Sequence, residues 1–189
     1  MEQTPGAASG PLVDSPELRE ELRSCLAVER FVDDVASGAP YAHNAELLAA
    51  ADRVASSLSP AEVDAALAHH PRIGERAAGE GQAQRFSRSE QSAADASDAA
   101  LADAIAAGNR AYEARFDRVF LIRAAGRGRA EILAELTRRL ENDDDTEAAT
   151  VASELHDITM LRLATLHPAE PEASAPASTP DSAEPTGAP

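Results

Sequence analysis

The chain has 189 residues, the length of one domain with loose ends, and its 33 acidic against 17 basic side chains give a formal charge of −16. That charge argues against nucleic-acid binding, the single cysteine (Cys25) excludes a disulfide framework or thiolate zinc cluster, and no apolar run reaches the ~18 residues of a membrane span. Hydrophobic residues make up 43% but aromatics only 3%, so the apolar mass is Ala, Leu, Val and Ile, which favours closely packed helices over a β-sandwich.

In chain order, residues 1–11 read as a flexible segment, and a helical pattern starts at Ser15-Pro16, a cap followed by proline at the first helical position. It continues through Leu18, Leu22, Leu26, Phe31, Val32 and Val35 to Gly38, with room for a break near Cys25–Glu29. Asn44 is expected to cap a second helix bearing Leu47, Leu48, Ala51, Val54 and Leu58. Ser59-Pro60 repeats the cap-and-proline device for a third, with Val63, Ala66 and Leu67. From His69 to Phe86 the apolar period stops; a long irregular segment inside a helical body is usually functional or disordered.

Periodicity resumes at Ser87 and runs, with a break allowed near Ala96–Ser97, through Leu101, Ile105, Tyr112 and Phe116. The run Val119–Ile122 is strand-like but reads equally as a buried connector. A helix is expected over about 129–140, and a last one after Asp143 that ends at Leu166. The tail, 167–189, holds six of the twelve prolines and neither Lys nor Arg, a disordered composition. The expected fold is therefore all-α: a single-domain helical bundle over 12–166 with a long functional loop after the third helix. The first residues resemble no secretory signal and the last no peroxisomal address, so a cytoplasmic location is expected.

His70 is the candidate for chemistry. Pro71 forces it out of helical conformation at a helix end beside the irregular segment, where a general acid or base is commonly held; a plain helix-terminating His-Pro is the alternative. Adjacent His69 and His70 cannot share a helix face, so a zinc site fails on spacing. His43, His156 and His167 read as structural or solvated. Ser87-x-x-Glu90-Gln91 is a capping box by pattern, yet Glu90 and Gln91 could instead face a pocket from a first helical turn. Arg162, between Leu161 and Leu163, reads either as a snorkelling surface residue or as a bidentate grip on a carboxylate or urea-like group. The acidic run Glu141, Asp143, Asp144, Asp145 and Glu147 lacks calcium-loop spacing and reads as a solvated turn.

Taken in order, His70-Pro71-Arg72-Ile73-Gly74, Ser87-x-x-Glu90-Gln91, Asn109-x-x-Tyr112-x-x-Arg115-Phe116, Ile132-Leu133, Arg139-Leu140-x-Asn142, Glu147 and Arg162-Leu163 resemble the 2-oxo-4-hydroxy-4-carboxy-5-ureidoimidazoline (OHCU) decarboxylase family. The resemblance implies an all-α enzyme, often a homodimer, that forms (S)-allantoin in urate degradation without metal or organic cofactor. It implies His70 as catalytic acid/base with Glu90 as its carboxylate partner, and substrate binding by Ser87, Gln91, Arg162 and the backbone at Pro71 and near Ile122. Many relatives carry a Gly-Phe-Pro-Phe-type turn after the Arg-Phe pair; here Asp117-Arg118-Val119-Phe120 follows. The competing expectation is a non-catalytic acidic helical interaction protein. An enzyme needs His70, Glu90 and Arg162 on one cavity, with Arg72, Arg162 and the start of the Ser87 helix supplying local positive field; an interaction protein should expose an apolar patch.

Overall fold

The computed structural model describes residues 11–68, 70, 72–73 and 99–169. Among them are seven helices, which we number α1 (Pro16–Cys25), α2 (Glu29–Ser37), α3 (Asn44–Ala55), α4 (Pro60–Leu67), α5 (Ala99–Phe116), α6 (Arg129–Arg139) and α7 (Asp144–Leu166). The first pattern does break: Leu26 is extended and the next helix starts at Glu29. The stretch that starts at His69, expected after a third helix, thus follows the fourth, α4; most of it lies outside the described residues.

Both cap-and-proline devices form. The Ser15 hydroxyl accepts the Leu18 N–H at 3.2 Å, and Ser59 and Glu62 close a capping box at the start of α4. The expected Asn44 cap does not form. His43 is the extended N-cap residue of α3, and the Asn44 amide reaches the Pro168 carbonyl at 2.9 Å. His167, expected in the tail, is buried instead; its ring lies 2.9 Å from Glu21 and its N–H bonds the Leu163 carbonyl. The α7 C-terminus therefore uses two residues beyond Leu166 to tie itself to α1 and α3.

α7 is the hub. It packs against α1, α3 and α4, while α5 and α6 pair with each other. Two apolar clusters result. One joins α1–α4 to Val151, Leu155, Ile158 and Leu163 of α7; the other holds Ile105, Tyr112, Phe116, Ile132 and Leu136 from α5 and α6. Gly108 lets the second pair close tightly, since a Cβ there would stand 2.5 Å from a Leu136 methyl.

Val119–Ile122 is the buried connector, and its strand-like alternation has a cause. Leu121 and the partly buried Val119 enter the first cluster, while Phe120, Ile122 and Ala124 enter the second. An extended chain sends successive side chains to opposite sides, here to two helical cores rather than to the faces of a sheet. Asp117 turns the chain out of α5 with φ 52°, a left-handed conformation that Asp tolerates better than most residues.

Candidate active site

His70 lies just past α4, whose Val63, Ala66 and Leu67 are buried in the first cluster. Its backbone N–H bonds the Leu67 carbonyl at 3.0 Å, and its Nδ1 lies 3.1 Å from the Ala66 carbonyl. A carbonyl oxygen only accepts, so Nδ1 carries a proton and donates it to Ala66, while Nε2 is buried. The end of α4 thus sets which ring nitrogen of His70 carries that proton.

Just downstream, α5 grips the chain. Arg72 donates through Nε (2.5 Å) and Nη2 (3.0 Å) to the two carboxylate oxygens of Glu113, and the Asn109 amide donates to the Ile73 carbonyl at 3.0 Å. The Arg72 guanidinium holds the Glu113 carboxyl below the usual carboxylate range. The pair places an acid beside Arg72 on the α5 side.

Arg162 is no snorkelling surface residue: it is 5% exposed and donates from Nη1 to the Cys25 carbonyl at 3.3 Å. Cys25 ends α1, where the break leaves a helix carbonyl without an intrahelical donor. A cation at that end suits the dipole, and a guanidinium has five N–H donors, so one bond to Cys25 does not exhaust it.

Ile122 lies between two clamps on the connector. Arg139 Nη1 donates to the Leu121 carbonyl at 2.7 Å, and the Arg123 N–H donates to Glu154 of α7 at 2.7 Å. Neither clamp uses the Ile122 peptide N–H. Behind the first clamp stands a fully enclosed polar group. Arg139 and Glu147, 0% and 1% exposed, are joined through Nε (2.9 Å) and Nη2 (2.5 Å) to one carboxylate oxygen, which also accepts the Tyr112 hydroxyl. Asn142 donates to the other oxygen at 2.7 Å, and the guanidinium lies 4.7 Å from the Phe120 ring centre. Burial, then the bond to Glu147, raises the Tyr112 hydroxyl well above its ordinary value. The acidic run is therefore not wholly solvated, because Glu147 turns inward. Its matching basic partner eight residues earlier was the available signal.

Of the expected site residues, His70, Arg162 and Ile122 are described. They sit just past α4, on α7 and on the connector, and both α4 and the connector are attached to α7. Pro71, Ser87, Glu90 and Gln91 lie outside the described residues. Among the described residues no three His, Cys, Asp or Glu side chains group as a metal site, and no helix is long and apolar enough to cross a membrane.

The fold is an all-α domain built round a central helix, α7, that bears a buried arginine, Arg162, with His70 held at the end of α4. The chain belongs to the OHCU decarboxylase family, which it matches over residues 12–164. It is 33% identical over 132 residues to the 2-oxo-4-hydroxy-4-carboxy-5-ureidoimidazoline decarboxylase of Amia calva, covering 67% of this chain and 74% of that protein. It is 31% identical over 150 residues to the uric acid degradation bifunctional protein TTL of Arabidopsis thaliana, covering 78% of this chain but only 46% of that protein. A crystal structure of OHCU decarboxylase in the presence of (S)-allantoin superposes with a TM-score of 0.67 at 28% identity, covering 78% of this chain and 97% of that one. A crystal structure of (S)-allantoin synthase shares the fold, with a TM-score of 0.57 at 15% identity over 79% of this chain and 49% of that one.

Proposed function

We propose that the protein is a cofactor-independent carboxy-lyase that converts OHCU stereoselectively to (S)-allantoin, with residues 12–166 carrying the activity. The family match along the whole helical body is the observation that supports this most. The proposal includes a homodimer in the cytoplasm, as the resemblance and the sequence suggest; light scattering and cell fractionation test those two points. The competing interaction-protein reading needs an apolar patch, whereas among the described residues Val13 and Leu161 alone are large, apolar and exposed.

The substrate carries a carboxylate and a hydroxyl on one ring carbon beside a C=N bond. As CO₂ leaves, the electron pair of the broken C–C bond moves into the C=N system, whose nitrogen takes up a proton. The hydroxyl then loses its proton to become a carbonyl, and the neighbouring carbon gains one on a single face. The substrate supplies its own electron sink, so the protein has to orient the ring and move protons. In our reading His70 Nε2 takes the hydroxyl proton and returns one to carbon, and Glu90 stabilises the imidazolium that forms. Arg162 and Gln91 fix the ring and ureido arm, with Ser87 and the peptide groups at Pro71 and Ile122 completing the grip.

The test generates the substrate freshly with uricase and the preceding hydrolase and follows the circular dichroism of allantoin. The expected result is rapid (S)-allantoin with the native chain and a loss of about 10²–10⁴-fold in His70→Gln, the usual contribution of a general acid/base. Racemic product at the uncatalysed rate with native protein would defeat the activity. A folded His70→Gln retaining full rate and stereochemistry would defeat the assignment of His70.

A further inference from the structure

Asn109 and Glu113 lie four residues apart on α5, hence on one face of the helix. Between them they hold two consecutive residues, Ile73 and Arg72, that follow the His-Pro step. The helix behind them is firmly seated, since Ile105, Tyr112 and Phe116 are buried in the second cluster. His70 itself is fixed to α4, which belongs to the first cluster. His70 is therefore anchored to one core, and Arg72 and Ile73 to the helix of the other.

The chemistry of these contacts does not suit a purely stabilising role. The Arg72–Glu113 pair is half exposed on the arginine side, a setting where ion pairs contribute little to stability. Asn109 is 5% exposed, and its Oδ1 has no hydrogen-bond partner among the described residues. A buried amide left half satisfied is a cost to the fold, and such groups call for another explanation. Geometry supplies one: a bidentate fork and a directional amide bond define where the chain leaving His70 must run.

We infer that Asn109 and Glu113 are positioning residues that set the direction of the His70 imidazole through Ile73 and Arg72. The inference rests on the proposed role of His70 in proton transfer. A displacement of about 1 Å at a reacting group can cost on the order of 10²-fold in rate, so release of either hold should lower kcat by about 10–100-fold. KM should change little, because neither residue is assigned a contact with substrate. Glu113→Gln, which keeps one carbonyl acceptor for Arg72, should recover part of what Glu113→Ala loses.

Two measurements test this. In the first, Glu113→Ala, Glu113→Gln, Asn109→Ala and native protein are compared at enzyme concentrations adjusted to equal total rate, and the enantiomeric composition of the allantoin is read. An imidazole that delivers its proton from the wrong angle gives a lower (S) excess at matched rate. A preparation that merely contains less folded enzyme gives the native excess, and that result in folded variants overturns the inference. In the second, the His70 ring resonance, assigned by its loss in His70→Gln, is followed by NMR without substrate. A shifted or broadened signal in the variants supports the hold, and an unchanged one overturns it. This second readout stands whether or not the native chain decarboxylates OHCU, so a failure of the activity and a failure of the inference are told apart.

Discussion

Two ion pairs each hold a piece of chain that carries a candidate site residue, and they do so in opposite surroundings. Arg72–Glu113 grips the segment after His70 at the surface, whereas Arg139–Glu147 grips the connector before Ile122 inside the protein. At the surface, water competes for both charges and the pair can open at little cost. Inside, the carboxylate is surrounded by donors from Tyr112, Arg139 and Asn142, and removing one partner leaves a charge in a place that cannot hydrate it. One arrangement guides a segment; the other underpins the fold.

The sharpest way to break the contrast is Arg139→Met. We expect a loss of about 3–5 kcal/mol in urea unfolding, because Glu147 keeps its charge and loses its guanidinium. A loss below about 1 kcal/mol would place the buried pair in the same class as the exposed one. The next test is alkaline titration, made clean by a chain with two tyrosines and no tryptophan. Burial raises both hydroxyls, Tyr112 further than Tyr41, and Glu147 adds to the effect at Tyr112 alone. A raised value means the folded state holds its proton more tightly than the unfolded chain, in which tyrosine ionises near ~10. The associated stability is thus intact below about pH 10 and is lost as pH rises through the folded values. Phenolate absorbance should appear together with unfolding above pH ~10; two tyrosines titrating freely at ~10 in folded protein would contradict their enclosure. The smallest expected effect is in Glu113→Gln, which should shift stability by at most about 1 kcal/mol in the same urea experiment. A loss as large as that of Arg139→Met would mean that the surface pair also carries the fold.

Most of the helical plan was legible because it rests on local chemistry. Ser15-Pro16 and Ser59-Pro60 state helix starts in two residues, and the spacing of Leu18 and Leu22 states a buried face. The Asn44 cap failed because Asn at N1 and Asn at N-cap look alike in sequence; here the side chain was taken by Pro168, 124 residues away. Glu147 was misread for a similar reason. An acid in an acidic run looks solvated until Arg139 and Tyr112, on two other helices, are brought beside it. For Arg162 a surface reading remained open; in the fold it turns inward to the buried Cys25 carbonyl that the break after α1 leaves without a helical donor. The His-Pro step singled out His70 but left a plain helix end as the alternative, and the family resemblance supplied its expected role. Its tautomer did not follow from the sequence, because it depends on the angle at which α4 ends.

The two-sided connector has one more consequence, for change in length. Between Val119 and Ala124, odd and even positions feed different cores, and the Leu121 carbonyl must meet Arg139 while the Arg123 amide meets Glu154. Inserting or deleting a single residue would swap every side chain to the wrong side and slide both anchor points out of register. Conservative exchanges of one apolar residue for another are far milder. This stretch can be respelled, but it cannot be recounted.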